Sequence, residues 1–387
     1  MEISKNRKKT EVADILDQHG SEYLKTHRFC PDQQKAYQAI LNCRTSFMGG
    51  HLQECDQCGH KRPVYNSCRN RHCPKCQYIK QVQWVDKLKS LLPATRYFHL
   101  VFTIPSELHN TFYINQRVCY DLLFNAASTT LKQAAANPAF LGAETGAVAV
   151  LHTWGQTLTY HPHIHMIVPG GGLSSDQTEW VSANKKFFLP VKALSKIFRA
   201  ILCRTIGDHI DAGIIKLPDD LSGFAKLKKK LYQKNWNVFS KKAFGGANAV
   251  VRYLGEYTQR VAISNHRIVK LEKGLVAFQW KDYRKALKGK YMELKAEEFI
   301  SRFFRHVLPN GFYKIRYYGL LASVNSLTKK EIVFQLIGKS TYLSSLEGLN
   351  GLEVLKMVTG KDLSFCPICK EGRMHNKSLI QWKEGPS

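Results

Sequence analysis

Three histidines define the chemistry open to this chain. In His161-Pro162-His163-Ile164-His165 the apolar surroundings predict a strand. Side chains alternate along a strand, so His163 and His165 share one face and Ile164 packs on the other. Two imidazoles at i and i+2 can converge on one ion. His161 shares their side but lies about 13 Å from His165 along the strand, too far for a third ligand. His152 is the better candidate. It lies near the end of the preceding predicted strand, Gly146–Trp154, and a hairpin centred near residues 158–159 sets it opposite His165. Three histidines that leave coordination positions open suit a divalent ion that also binds a phosphate oxygen. His99, on another apolar strand, reads as a weaker ligand, a core residue or a support for these ligands.

The second set of ligands is sulfur. Of the 11 cysteines, five lie between Cys55 and Cys76, two form Cys366-x-x-Cys369, and Cys30, Cys43, Cys119 and Cys203 are scattered. Clustered CxxC pairs read as metal ligands in a reducing compartment. Cys55-x-x-Cys58 and Cys73-x-x-Cys76 are separated by 14 residues, the spacing of a zinc ribbon. The expectation is one closed, structural zinc site on those four thiolates, with Cys68, His51, His60 and His72 as spare ligands. Arg62, Arg69, Arg71 and Lys75 interleave with it, so the module is expected to contact DNA through Arg69, Arg71 and Lys75. Cys366-x-x-Cys369 has no second pair in sequence. It reads equally as a turn with two free thiols or as part of a second metal site.

Tyr253 and Tyr257 are four apart on a predicted helix over about 248–262, flanked by Arg252 and Arg260. A phenol can act as a nucleophile toward a polarised phosphate. On pattern alone, Val250, Tyr253, Leu254, Tyr257 and Val261 also form an ordinary amphipathic core stripe.

The elements that must position these groups follow from periodicity. Helices are predicted over 11–45, with Pro31 opening the second, and over 77–91, 106–136, 191–212, 220–234, 295–307 and 328–337. Strands are predicted at 97–104, 146–154 and 161–168, the last closed by Pro169-Gly170-Gly171-Gly172. A hairpin spans 269–280 with its turn at Lys273-Gly274, and 312–318 is extended. Gly338-Lys339-Ser340 resembles the end of a phosphate-binding loop, but Val333 stands where its first glycine belongs, so no nucleotide site is expected.

The composition names the partner. The 387 residues carry 57 Lys and Arg against 30 Asp and Glu, a formal charge of +27, with 44 % hydrophobic residues. A foldable chain this basic points to a polyanion. No stretch approaches ~20 apolar residues, which excludes a membrane-spanning helix. Lys5–Lys9 is followed by Glu11-Val12-Ala13-Asp14 rather than by the apolar run of a secretory signal. The charge is uneven. Residues 97–182, with the histidines, hold two basic residues against five acidic ones, whereas 183–290 hold 24 against seven. A nucleic-acid strand is therefore expected along 183–290 and the zinc module, its reacting phosphate at the histidines.

Three signals occur together in one order: Cys68-Arg-Asn-Arg-His-Cys-Pro-Lys-Cys76, His163-Ile164-His165 followed by Pro169-Gly170-Gly171-Gly172, and Tyr253-Leu-Gly-Glu-Tyr257-Thr-Gln-Arg260. In this the chain resembles the two-tyrosine HUH transposases of rolling-circle insertion sequences, from the zinc module to about Ala322. The resemblance implies a single-strand DNA endonuclease and strand transferase. Its catalytic metal would be Mg or Mn on His152, His163 and His165, its nucleophiles Tyr253 and Tyr257, with Arg252 and Arg260 beside the DNA. It further implies single-stranded element ends and target as substrates, a host helicase as partner, and a bacterial, cytoplasmic, nucleoid-associated setting. The expected fold is α+β, a mainly antiparallel sheet flanked by helices. The expected domains are a helical and zinc-binding region over 1–95, a catalytic domain over 96–322 and an accessory region over 323–387. Two other readings stand beside it: a plasmid replication initiator or relaxase with the same chemistry, and a non-catalytic zinc-ribbon DNA-binding regulator.

Overall fold

The computed structural model describes residues 9–184, 188–221, 223–243, 262–281, 289–339 and 342–381. Tyr253, Tyr257, Arg252 and Arg260 lie outside the described residues, as does nearly all of the helix predicted over 248–262.

The chain opens with helices α1 (Val12–Thr26) and α2 (Pro31–Asn42). Pro31 sits in the first turn of α2, where its missing N–H costs nothing, and the Gln33 side chain caps the Cys30 N–H at 3.1 Å. Strands β1 (Gly50–Cys55) and β2 (Lys61–Tyr65) form a hairpin, and α3 follows (Gln77–Leu91). The central region comprises β3 (Tyr97–Thr103), α4 (His109–Ile114), α5 (Gln116–Ala136), β4 (Gly146–Trp154) and β5 (Tyr160–Pro169). It continues through β6 (Gly171–Leu173), β7 (Trp180–Ser182), α6 (Val191–Asp211), α7 (Phe224–Tyr232) and β8 (Val238–Ala243). Then come β9 (Ile268–Glu272), β10 (Leu275–Lys281), β11 (Gly289–Lys295), α8 (Ala296–Phe304) and β12 (Ile315–Gly319). The β9–β10 turn passes through Lys273 and Gly274, both with positive φ, the conformation a two-residue hairpin requires. Helices α9 (Lys329–Ile337) and α10 (Gly351–Thr359) and strand β13 (Met374–Ile380) complete the described chain.

The fold is α+β, with antiparallel sheets flanked by helices. The central sheet runs β12-β4-β5-β3-β8, every neighbouring pair antiparallel. Side-chain alternation gives it two faces of different character. Phe98, Leu100 and Phe102 of β3, Ala147, Ala149 and Leu151 of β4, and Ile164, Met166 and Val168 of β5 join one core. Tyr120, Leu123 and Phe124 of α5 and Phe198 and Leu202 of α6 belong to the same core. The opposite face carries Tyr97, Val148 and Ile167 at one end, covered by Leu88 and Leu92. At its other end it carries His99, His152, His163 and His165. A separate core of α1, α2, β9, β10 and α8, with Phe299, Phe303 and Phe304 at its centre, packs against Trp154 beside them.

A three-stranded sheet, β13-β1-β2, joins the two ends of the described chain. Strand β13 pairs with β1 from Gly50 opposite Ile380 to Cys55 opposite Met374.

Candidate functional site

The histidine face is built by β4 and β5, with β3 beside them. The structure sets His152 opposite His163, and Val150 opposite His165. The sequence reading had placed His152 opposite His165. The hairpin closes with Trp154 opposite Tyr160, a turn centred on residue 157 rather than 158–159, and a β-bulge between His152 and Trp154 then shifts the pairing by one, which leaves the register two residues from the expected one. A two-residue slip preserves the face, so all three histidines still converge. Their nearest ring nitrogens all lie within 4.8 Å of one another. His161 does not join them. It turns toward His109, with ring centroids 5.6 Å apart.

Neighbours fix each ring. His163 Nδ1 lies 2.6 Å from the His161 carbonyl oxygen. That oxygen can only accept, so Nδ1 carries the proton and Nε2 is the lone-pair nitrogen. His165 Nδ1 lies 2.8 Å from His99 Nε2, and the two rings stack with a 6° interplanar angle. Trp154 stacks on His152 at 4.7 Å. His306, which the sequence reading missed, meets the Trp154 ring edge-on and bonds Thr153 Oγ1 and the Leu158 carbonyl. Burial drives the His163 pKa down to about 3, aided by His161, and that of His99 to about 4, with Lys241 adding to the shift. Burial likewise holds His165 well below the ordinary histidine range. These imidazoles are neutral at physiological pH, the state in which imidazole donates to a metal. Three imidazole nitrogens this close fit a divalent first-row ion that keeps other positions open.

The face continues onto the edge strand. Val101 pairs with Phe239 and His99 with Lys241, which puts both β8 residues on the histidine side. Phe239 is 52 % exposed and its ring stands 6.4 Å from that of His99. Strand β8 was absent from the sequence reading. Its apolar residues are too few and its lysines too adjacent for a period of two to show.

The thiolates are grouped differently from the expectation. Cys55 and Cys58 do not share a site with Cys73 and Cys76. One cluster is Cys43, Cys68, Cys73 and Cys76, and the other is Cys55, Cys58, Cys366 and Cys369. In the first, Cys43 Sγ lies 3.3 Å and Cys68 Sγ 3.6 Å from Cys76 Sγ. Zinc–sulfur bonds of about 2.3 Å at tetrahedral angles put sulfurs about 3.8 Å apart, so this cluster is sized for zinc. The physical reason for the correction is the β1–β2 hairpin. It carries the first CxxC turn to its far tip, away from the 68–76 loop. Cys43, the residue after α2, and Cys68 fill the two places left. His72 is not a ligand, because its Nε2 accepts the Leu308 N–H at 3.3 Å.

Two of the expected DNA contacts are engaged elsewhere. The Arg71 guanidinium donates to the carbonyls of Phe312, Leu308 and Pro309 at 2.5–3.3 Å. It ties the zinc loop to the segment after α8. Lys75 pairs with Glu11 at 2.6 Å. Arg69 is exposed, with φ +54, and its backbone N–H supports the Cys76 sulfur. Arg71→Met should therefore lower folding stability by about 2–4 kcal/mol, the scale of several charge-assisted bonds left unmade. Denaturant unfolding checks this, and the salt dependence of DNA binding should not change.

The described residues thus bring together two groups of four thiols spaced for zinc and one group of three histidines able to hold a metal ion, and the comparisons supply the class of protein that carries them. Residues 146–329 match a family described as "Putative transposase", and residues 15–104 match the transposase zinc-binding domain. A "Putative transposase y4qJ" of Sinorhizobium fredii is 42 % identical over 97 % of both chains. The transposase for insertion sequence element IS801 of Pseudomonas savastanoi pv. phaseolicola is 29 % identical over 73 % of this chain and 69 % of its own. No solved structure matches. The chain belongs to the insertion-sequence transposases of the IS91 type, which cleave and transfer DNA.

Proposed function

We propose that this transposase cuts and rejoins single-stranded DNA by phosphotyrosine chemistry, in rolling-circle transposition of its insertion sequence. The observation that carries the reading is the convergence of His152, His163 and His165, with supported rings, on one face of the central sheet. His152, His163 and His165 would hold a divalent cation, Mg or Mn, whose charge would polarise the scissile phosphate. The chain's own residues do the rest. The phenol oxygen of Tyr253 or Tyr257 attacks phosphorus, the bond to the 3′-oxygen breaks, and that oxygen leaves as a 3′-hydroxyl with the proton the phenol gives up. The DNA stays attached as a 5′-phosphotyrosine ester, whose energy permits rejoining without ATP. A second tyrosine allows a second cleavage while the first link persists.

The described residues on either side of the tyrosine segment support this reading. Ala243 ends the edge strand that pairs with β3, and Ala262 belongs to the core that packs against Trp154. Ala243 stands opposite Tyr97, two residues along β8 from the pair of Lys241 with His99. Phe239 offers an aromatic platform for a base and Lys241 a phosphate contact on that same face. Arg69, Arg252 and Arg260 remain candidate phosphate contacts, and a host helicase would supply the single strand. The protein would act in the cytoplasm, on the nucleoid. The cluster of Cys43, Cys68, Cys73 and Cys76 holds structural zinc, with no role in the cut. The direct test is incubation with a labelled single-stranded oligonucleotide of the element end, with and without Mn or Mg. A covalent protein–DNA band should form only with the metal.

His99 is a positioning residue in this account, acting through His165. His99→Leu should raise the Mn concentration needed for half-maximal nicking about 10- to 100-fold, the cost of losing the group that orients a metal-binding histidine. Nicking at saturating Mn should recover, and the unfolding midpoint should stay near that of wild type. A loss of activity that no Mn concentration restores would remove His99 from that role.

A further inference from the structure

We infer that Cys55, Cys58, Cys366 and Cys369 form a second structural zinc site, a clasp that fastens the C-terminal strand to the N-terminal ribbon. The sulfur geometry is that of a filled tetrahedron's corners. Cys55 Sγ stands 3.7 Å from Cys369 Sγ, and Cys58 Sγ 3.7 Å from Cys366 Sγ. All four sulfurs lie within 4.8 Å of one another. A tetrahedral zinc needs about 3.8 Å between sulfurs, whereas a disulfide needs about 2.05 Å and joins only two.

The two turns are built alike, although 308 or more residues separate the partners. In the first, the Gln57 N–H points at Cys55 Sγ and the Gly59 N–H bonds the Cys55 carbonyl, with Gly59 at φ +69. In the second, the Ile368 N–H points at Cys366 Sγ and the Lys370 N–H bonds the Cys366 carbonyl, with Lys370 at φ +65. Each turn thus aims a backbone donor at its first sulfur and closes through a left-handed residue, an arrangement that favours thiolates. Lys370 takes in the second turn the left-handed place that Gly59 takes in the first, held there by its own bond to the Cys366 carbonyl. Gly372 adds a further N–H to Cys369 Sγ at 3.4 Å. A β-carbon at Gly372 would meet Cys55 Sγ at 2.5 Å, so the backbone can crowd the sulfurs only as glycine.

The clasp has structural work to do. Strand β13 is an edge strand, with five of its seven residues exposed. It buries little apolar surface of its own, so its pairing with β1 needs another source of stability. Zinc bound by two thiolates from each end of the chain supplies it. Each cluster has two buried cysteines, but Cys58 of the clasp is exposed, whereas Cys68 and Cys76 of the other cluster are half-buried. The clasp should therefore lose its metal to a chelator first.

The test uses the full-length chain. With the histidine site emptied by His163→Ala/His165→Ala, the dialysed protein should hold two equivalents of zinc. Cys366→Ser/Cys369→Ser in that background should hold one and should be cut by trypsin within 360–381. The same chain without the serine changes, alkylated and peptide-mapped, gives an independent readout. Cys55, Cys58, Cys366 and Cys369 should be protected together and become reactive together on chelation, before Cys43 and Cys73. One zinc in the parent chain, or equal alkylation of Cys366 and Cys369 with and without chelator, would overturn the clasp.

Discussion

Changing both Tyr253 and Tyr257 to Phe should abolish the covalent protein–DNA adduct, lowering single-strand cleavage by about 10⁴-fold or more, the scale on which enzymes lose turnover when a covalent nucleophile is removed. Phe keeps the aromatic ring and removes only the hydroxyl, so single-stranded DNA affinity and zinc content should stay at wild-type values. Each single variant should retain one cleavage and form an adduct through the remaining tyrosine, while strand transfer, which uses both, fails. Denaturing electrophoresis of labelled oligonucleotide reads all three variants. An undiminished adduct in the double variant would remove these tyrosines from the reaction.

The second large effect belongs to the histidines. His163→Ala with His165→Ala leaves His152 as a lone donor, which cannot hold a divalent ion against water. Polarisation of the phosphate by such an ion is worth several kcal/mol, so nicking should fall by about 10²- to 10³-fold at least. Both side chains lie on the face away from α5 and α6, so the larger core should be intact and DNA binding should persist. Nicking rates across a Mn titration, with a filter-binding control, measure it. Retention of metal-dependent nicking would place the cation elsewhere.

The sheet positions were legible in the sequence because strands buried on both faces read as short continuous apolar runs bounded by turn residues. Tyr97–Thr103, Gly146–Trp154 and Tyr160–Pro169 fall where the apolar runs predict them. The face shared by the three histidines depends on the parity of the register, and the earlier turn together with a one-residue bulge that no local pattern announces leaves that parity as expected. The zinc ligands show the opposite case. Spacing identifies a CxxC turn but not which other turn closes the tetrahedron, because closure depends on where a hairpin tip points. Cys43 has no partner nearby in sequence, and the partner of Cys366-x-x-Cys369 lies at the other end of the chain. Strand β13, with His375, Lys377 and Ser378 between Met374 and Leu379, carries no alternation to betray it. Its place is dictated by β1 and by four sulfurs. Arg71 illustrates a further limit. A basic residue between zinc ligands in a basic protein reads as a phosphate contact, yet three backbone carbonyls of the segment after α8 claim it.

The charge asymmetry acquires a structural meaning from this arrangement. The acid-leaning segment 97–182 contains β3, β4 and β5 and so the histidine face, while the basic segment begins with α6 and includes the edge strand β8. On the proposed function, a phosphodiester chain held by the second would lie within one strand of the first.

The central claim is that the histidine face serves tyrosine attack on a single strand. The most direct measurement is mass spectrometry of peptides from the protein after reaction with an element-end oligonucleotide in Mn. The account predicts a nucleotide ester on Tyr253 or Tyr257, formed with Mn and absent both without it and in His163→Ala/His165→Ala. Cleaved DNA with no tyrosine ester, or an ester formed equally without the metal and in that variant, would contradict it.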